Sequence, residues 1–185
     1  MTDKLYYESS HRRDFEAQVI SCEPEGEGYK VVLDKTVFFP EGGGQPYDTG
    51  TLGEARVKEV HERGEEVIHY TDRPLTVGET VEGAIDWDRR FDNMQGHSGE
   101  HIITGCIHRR FGYDNVGFHM GSEEITIDFN GMITGEELDE MEAEANEAIY
   151  RNLPVQILTP TPEELKDMEY RSKKELTGQV RITVI

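Results

Sequence analysis

Residues 86–105 read DWDRRFDNMQGHSGEHIITG, and the character of the sequence changes within this stretch. Ahead of it, short runs of β-forming residues are separated by turn residues at intervals of about ten residues, which is typical of a small antiparallel barrel or meander. After it, apolar residues recur at helical intervals, and a first helix is predicted over 93–111 with Gly112 as its terminating residue. The sequence therefore predicts an α+β protein, with a small antiparallel β-barrel domain over 1–88 and an α+β domain over 89–185.

The predicted elements follow this division. Strands of the first domain are predicted over 29–33, 36–39, 55–60, 66–70 and 81–87. In the second domain, strands are predicted over 116–120, 124–129, 154–158 and 180–185, and helices over 134–151 and from Thr161 onward. The helix over 134–151 begins with a capping-box pattern, Thr134 and Glu137, and carries an apolar stripe of Leu138, Met141, Ala145, Ala148 and Ile149. We expect the helices of this domain to lie on an antiparallel sheet, in two layers.

The composition limits the classes of function. The 185 residues include 19 Lys and Arg against 38 Asp and Glu, a formal net charge of −19. No apolar run approaches the roughly 20 residues of a spanning helix, and a polybasic nucleic-acid binder is disfavoured because a negative field repels phosphate. Two cysteines without a signal-peptide pattern favour a reducing cytoplasm.

Positive charge is concentrated near one predicted helix. Residues 89–110 carry four arginines against the acidic residues Asp92 and Glu100. The alternative interpretation of these arginines is ordinary surface charge. If the protein contacts nucleic-acid phosphates, however, this segment is where we expect the contacts. The candidates are Arg89, Arg90, Arg109 and Arg110.

His97 and His101 are spaced to bind one metal ion. Residues at i and i+4 share a helix face, so both imidazoles can direct a nitrogen at the same zinc ion. A zinc site needs three or four ligands, and His119 on the following strand pair is a candidate for a further one. A surface helix that carries two histidines by chance is the alternative interpretation.

Gly42, Gly43 and Gly44 precede Gln45 in the most distinctive loop of the sequence, FFPEGGGQPYDTG over 38–50. Three consecutive glycines permit positive φ angles and let a ligand or another backbone approach closely. Gln45 supplies both a hydrogen-bond donor and an acceptor beside the exposed amides. The alternative is a tight loop that only links two strands of the barrel.

These segments together resemble one family. The loop over 38–50, the segment over 86–105, VGFHMGSEEITIDF over 116–129, and an acidic helix followed by NLPVQ occur in this order in AlaX-type proteins. Those proteins are free-standing relatives of the editing domain of alanyl-tRNA synthetase. The resemblance extends from about residue 35 to residue 185. It implies hydrolysis of the ester that joins a wrong amino acid, chiefly serine or glycine, to the acceptor end of tRNA for alanine.

The resemblance also implies a zinc site. The family combines a His-x-x-x-His pair with a Cys-x-x-x-His pair, and His97 and His101 match the first pair. The second pair follows, in relatives, a strand that is similar to 180–185, and it is not in this sequence. We therefore expect the sequence to be cut from a longer protein that completes the zinc site.

The resemblance and the residue types together give candidates for the site. Gln45 and the glycine amides are expected to complete the amino-acid pocket. His119 lies where the synthetase editing domain often has a glutamine, so it is a candidate for substrate contact. Thr36 and Asp128 are further polar candidates, and the alternatives for these three are a packed histidine, a half-buried strand hydroxyl and a strand-edge carboxylate.

Two other functions compete with tRNA editing. Residues 97–101 also fit the His-x-x-Glu-His pattern of inverted zincin peptidases, with Glu100 as the base, although a solvated helix carboxylate is the simpler interpretation of Glu100. The third function is a non-catalytic tRNA-binding module that has lost its metal site. The peptidase hypothesis leaves the glycine loop unexplained.

Overall fold

The computed structural model describes residues 1–121, 123–168, 170 and 180–185. The strands in these residues are β1 (Asp3–Lys4), β2 (Asp14–Glu25), β3 (Gly28–Leu33), β4 (Lys35–Thr36), β5 (Gly50–Leu52), β6 (Ala55–Arg63), β7 (Glu66–Thr71), β8 (Thr80–Ile85), β9 (Asn115–Met120), β10 (Ile125–Phe129), β11 (Gln156–Leu158) and β12 (Ile182–Val184). The helices are a 3-10 turn (Leu5–Tyr7), α1 (Trp87–Phe111), α2 (Gly135–Tyr150) and α3 (Pro162–Lys166). The predicted α+β class is confirmed.

Six strands close into a barrel in the order β2-β3-β7-β6-β5-β8. Each strand pairs with the next in antiparallel register, and β8 returns to β2 through pairs such as Ala17 with Val81. The inward side chains form one buried core, of which the fully enclosed members are Val31, Leu33, Val37, Phe38, Leu52, Val57, Val60 and Val67. These side chains are the main apolar core of this region. Burying each of them contributes about 1.5–3 kcal/mol to the stability of the barrel.

β2 is the longest strand of the barrel, and it was not among the predicted ones. Phe15, Ala17 and Val19 are buried between exposed neighbours, which is the alternation of a half-buried strand. The register shifts between Val19 and Ser21, and Ile20 is half exposed. A bulge of this kind breaks the period of two, so the second half of the strand no longer alternates.

Two predicted elements differ clearly from the structure. Of the strand predicted over 36–39, only Thr36 lies in a strand, β4, which pairs with β1 in parallel, because the chain turns into the glycine loop after Thr36. The first long helix begins at Trp87 rather than at residue 93, since the backbone carbonyl of Asp86 already accepts the N–H of Arg90 at 3.1 Å. Its predicted end is confirmed: Gly112 has φ +70° and donates to the carbonyl of His108 at 2.8 Å.

The capping box of α2 is confirmed. The Thr134 hydroxyl accepts the N–H of Glu137 at 3.3 Å, and the Glu137 carboxylate accepts the N–H of Thr134 at 2.9 Å. Thr161 caps α3 in the same way. The apolar stripe of α2 is confirmed in part, because Met141 and Ala145 are buried whereas Leu138 and Ile149 are about half exposed.

The chain forms two compact units. The first comprises Met1–Ser98 with Asn115–Asp128, and the second comprises Gly99–Asp114 with Phe129–Ile185. In the second unit, Cys106 and Ile107 of α1 pack against Met141 and Ala145 of α2. The units divide within α1, because residues of its first half contact the glycine loop and the β9–β10 hairpin. The two-layer arrangement expected for 89–185 stays a prediction.

Cys22 and Cys106 are both free thiols. Among the helices of the described residues, none has the length and apolar character needed to cross a bilayer.

Candidate functional site

The glycine loop folds into a tight turn at its tip. Gly42 and Gln45 exchange two backbone hydrogen bonds of 3.1 and 3.0 Å. Between them, Gly43 and Gly44 have backbone φ angles of +61° and +85°, which residues other than glycine rarely adopt. A Cβ on Gly44 would also fall inside the contact distance of the Phe118 ring. Backbone conformation and close packing therefore both require glycine at the tip.

Gln45 connects this turn to the histidine helix. Its side-chain oxygen lies 3.0 Å from Nδ1 of His97, and only 6% of the residue is exposed. The His97 ring lies 5.5 Å from the ring of Phe118, centroid to centroid, and a Cβ on Gly43 would be 3.7 Å from its Cε1. The loop, β9 and α1 thus meet at one imidazole.

The Gln45 bond determines which His97 nitrogen can bind an ion. An amide oxygen only accepts, so Nδ1 of His97 carries the proton and donates to Gln45. Nε2 is then the nitrogen that would act as a metal ligand. Ligand histidines in metal sites usually have their other nitrogen held in this way, which fixes the tautomer and the ring orientation.

His101, one turn further along α1, also has an oxygen atom beside its Nδ1 nitrogen. Nδ1 of His101 lies 3.2 Å from a carboxylate oxygen of Glu100, whose other oxygen accepts the Thr104 hydroxyl at 2.8 Å. Glu100 is only 5% exposed, so the interpretation of it as a solvated carboxylate is wrong. The spacing of Glu100 and Thr104, four residues apart on one helix face, is the sequence signal that could have indicated this contact.

His97, Glu100 and His101 are a donor set suited to a divalent cation. One potential ligand atom from each lies within 4.8 Å of the others along α1. Imidazole is a ligand that zinc prefers, and the contacts of Gln45 and Glu100 at Nδ1 already orient both rings. The residues on the helix therefore fit a zinc ion.

Thr36 lies in the barrel core and not beside Gln45, so its expected role as a pocket residue is not supported by its position. Its hydroxyl is 2.9 Å from Nε2 of His69 and accepts the N–H of Phe38 at 3.1 Å. Both Thr36 and His69 have no exposed surface. Nδ1 of His69 lies 3.3 Å from the carbonyl of Val31, and burial lowers the pKa of His69 to about 4.

His119 and Asp128 lie on the other face of the β9–β10 hairpin. Successive side chains of a strand point to opposite faces, and it is Phe118 that contacts the glycine loop. His119 is exposed, and Asp128 is exposed beside Gly117, where a Cβ would collide with its carboxylate. The residue that sequence reasoning missed is therefore Phe118, one position from the predicted His119.

Arg90 and Arg89 have different environments. Arg90 is 2% exposed and is bonded to Asp48, so it cannot reach a phosphate in solution and the predicted contact is wrong for this residue. Arg89 is exposed and donates to the carbonyl of Tyr47 from two nitrogens, at 3.3 and 3.2 Å. Arg89 therefore remains a candidate for phosphate contact at the base of the glycine loop.

Arg109 and Arg110 form ion pairs within the second unit. Arg109 pairs with Glu144 of α2, and Arg110 pairs with Glu140. All four side chains are partly exposed, and such pairs are worth little in stability. Their carboxylate partners reduce the positive field that these two arginines would present to a phosphate.

Comparison with known proteins provides the remaining observation. A family model described as tRNA synthetases class II (A) matches residues 5–89. Alanyl-tRNA editing protein AlaX-L from Pyrococcus horikoshii is 30% identical over 194 residues, which cover 100% of this chain and 48% of that protein. Over its whole length, the chain is therefore similar in sequence to an AlaX-type alanyl-tRNA editing protein.

Other relatives carry similar names. Alanyl-tRNA editing protein Aarsd1 from Bos taurus is 38% identical over 162 residues, covering 80% of this chain and 36% of that protein. Alanine–tRNA ligase from Thermococcus kodakarensis is 38% identical over 164 residues, covering 83% of the chain and 17% of the ligase. The chain thus spans less than half the length of these curated relatives.

Proposed function

We propose that this protein hydrolyses the ester bond of mischarged aminoacyl-tRNA and releases serine or glycine from tRNA for alanine. The observation that carries the proposal is the 3.0 Å hydrogen bond between Gln45 and His97, because it joins the two most distinctive segments of the sequence at one point. The relatives are named as alanyl-tRNA editing proteins, which supports the same reaction.

Zinc is part of the proposal. His97 and His101 would hold the ion through their Nε2 nitrogens, while Gln45 and Glu100 hold their Nδ1 atoms. A bound zinc ion supplies positive charge that polarises an ester carbonyl or a water molecule. The Cys-x-x-x-His pair that the resemblance implies is not in this sequence, so the histidine pair is the part of the proposed site that this chain would supply.

The chain's own residues orient the substrate. Within the Gly42–Gly44 turn, the N–H of Gly42 already donates to the Gln45 carbonyl. The N–H groups of Gly43 and Gly44 are therefore the ones proposed to donate to a substrate carbonyl, which can approach because neither residue has a side chain of its own. The Phe118 ring forms an apolar wall against Gly44 and His97. A pocket that hydrogen-bonds a serine hydroxyl rejects alanine, because alanine would leave those polar groups unpaired.

The tRNA is expected to bind through its acceptor end. An enzyme that holds only this end needs few phosphate contacts, so a net charge of −19 does not prevent binding. Arg89 is the arginine of the segment that is exposed near the loop. Because the remaining charge is acidic, we expect weak binding that falls steeply as salt increases.

The experiment is a deacylation assay on tRNA for alanine carrying serine, glycine or alanine. The wild-type protein is expected to release serine or glycine faster than alanine, and a chelator is expected to slow this release. His97→Ala should lose the activity, whereas His11→Ala, which changes an exposed histidine of the barrel unit, should keep it. Equal rates for wild type and His97→Ala would contradict the proposed site.

The inverted-zincin hypothesis receives less support. Both oxygens of Glu100 are engaged, by Thr104 and by His101, which is unlike a base directed at a substrate water. In the described part of the chain, the group of His97, Glu100 and His101 is the one cluster of this kind, without a carboxylate from a second helix. Chelator-sensitive peptide cleavage without deacylation would reverse this preference.

A further inference from the structure

The glycine loop is closed at its base by two residues, Phe39 and Asp48. The N–H of Asp48 donates to the carbonyl of Phe39 at 2.9 Å, and the Asp48 carboxylate accepts the N–H of Phe39 at 2.7 Å. These reciprocal bonds join the two ends of the loop that carries Gln45 at its tip. The base of the loop therefore has a defined geometry that does not depend on the tip.

Arg90 holds this base from the first turn of α1. Its Nε lies 3.1 Å from both carboxylate oxygens of Asp48, and one terminal nitrogen is 2.8 Å from Oδ2. The same terminal nitrogen donates to the carbonyl of Val37 at 2.7 Å, and the other donates to the carbonyl of Ser10 at 3.3 Å. Arg90 is 2% exposed and Asp48 is 1% exposed, so water competes little for these bonds.

The loop is thus attached to α1 at two points. Its base is bonded to Arg90, and its tip is bonded to His97, seven residues or about 10 Å further along the helix. A helix is stiff over two turns, so two attachments on it fix both the position and the tilt of the loop. A single bond between Gln45 and His97 would leave the loop able to pivot.

We infer that the buried Asp48–Arg90 pair is a positioning device that holds Gln45 and the glycine amides against His97. The inference rests on the proposed function only where its test measures deacylation. Replacing both partners of a buried ion pair by well-packed apolar residues is often neutral for stability, so stability alone does not explain this pair. The planar guanidinium group donates to Asp48, Val37 and Ser10 at the same time. It therefore fixes the orientation of the loop base, which the point charge of a lysine could not do.

The test compares two variants with a matched control. Asp48→Asn removes the charge but keeps an oxygen for the Phe39 N–H, and Arg90→Lys keeps the charge but loses the fork. The control, Arg56→Gln, breaks a partly exposed Arg–Asp pair with Asp86 in the same unit. All are made in the full chain, and folding is verified from the melting temperature.

Both variants are expected to lower kcat for serine release by about 10- to 100-fold while KM changes little, because misplacement of a catalytic group affects the reacting geometry. The control is expected to keep the kcat of the wild type. A wild-type kcat in folded Arg90→Lys would overturn the inference, since charge alone would then be sufficient. A change confined to KM would also overturn it.

A second readout needs no substrate. Hydrogen exchange is expected to rise in both variants over residues 39–48 but not over 55–71, and the NMR signals of the His97 imidazole nitrogens are expected to shift. Equal loss of protection across both segments would indicate a general structural role and overturn the inference. If the wild type releases no amino acid from any tRNA, the proposed function fails, whereas this readout still decides the role of the pair.

Discussion

His69 and His97 form the same type of hydrogen bond, from Nδ1 to an oxygen atom, in two different environments. Nδ1 of His69 lies 3.3 Å from the carbonyl oxygen of Val31, and Nδ1 of His97 lies 3.0 Å from the side-chain oxygen of Gln45. The second nitrogen of His69 is occupied by Thr36 inside the barrel, where no solvent reaches it. His97 is only partly buried and stands beside a second histidine on its helix.

The comparison shows that the hydrogen bond alone does not distinguish a packed histidine from a functional one. Burial lowers the pKa of His69 to about 4, because a charged imidazole would lose its hydration there. His69 therefore stays neutral and serves the core. His97 is only partly buried, and its Gln45 partner holds one nitrogen, so the other nitrogen is the one proposed to bind a cation.

The largest expected effect is on stability, from truncating the core histidine. His69→Ala removes a fully buried ring and leaves the Thr36 hydroxyl without its partner. We expect the free energy of unfolding to fall by about 3–5 kcal/mol, as for other large-to-small changes in a core. Denaturant unfolding measures it. A loss below about 1 kcal/mol, with activity abolished instead, would contradict the distinction between the two histidines.

The buried His69 should also make the stability of the protein depend on pH. The unfolded His69 binds a proton below about pH 6.5 and the folded one does so only below about pH 4, so stability falls as the pH decreases through this window. The expected loss is about 3 kcal/mol. Asp48 acts in the opposite direction, because burial raises the pKa of its carboxyl to about 6.

This pH effect is measured as a difference. Unfolding free energies of the wild type and of His69→Gln are compared between pH 7 and pH 4, so that Asp48 and all other groups cancel. The wild type should lose more stability than the variant. Parallel curves for the two proteins would mean that His69 is accessible to protons in the folded state.

His97→Ala should affect activity rather than stability, the opposite of what we expect for His69→Ala. We expect serine release to fall by about 100-fold or more, since even hydrogen-bond partners of metal ligands are worth roughly 10- to 100-fold. The melting temperature should change little because the ring is only partly buried. Zinc content measured on the same samples should fall with activity. Loss of folding with full activity in the remaining folded fraction would contradict this prediction.

Thr36→Val should give the smallest effect of the series. The substitution keeps the shape but removes the hydroxyl that Phe38 and His69 use, so we expect a loss of about 1–2 kcal/mol in stability. The rate of serine release per folded molecule should stay unchanged. A large fall in that rate would restore Thr36 as a pocket residue.

Parts of this picture could be predicted from local sequence patterns. The caps at Thr134 and Thr161 depend on residues three positions apart, so the sequence contains both partners. Three consecutive glycines predicted a close approach at the loop, and the ring of Phe118 lies against Gly44 there. The bond between Gln45 and His97 was not predicted, because the two residues are 52 positions apart in the sequence.

Other parts depend on long-range packing and on strand parity. Arg90 looked like a phosphate ligand because its partner Asp48 is 42 residues away in the sequence. His119 was preferred to Phe118, but a shift of one residue on a strand exchanges the two faces. Glu100 appeared solvated because no pattern in the sequence shows how deeply its side of α1 is buried.

The central claim is that Gln45 and His97 act as one unit in deacylation, and a double-mutant cycle tests it most directly. Serine release is measured for the wild type, Gln45→Leu, His97→Ala and the double variant. Gln45→Leu is expected to lower the rate by about 10- to 100-fold and to add nothing once His97 is removed. Fully additive effects on the activation free energy, with all four proteins folded, would mean that Gln45 and His97 act independently.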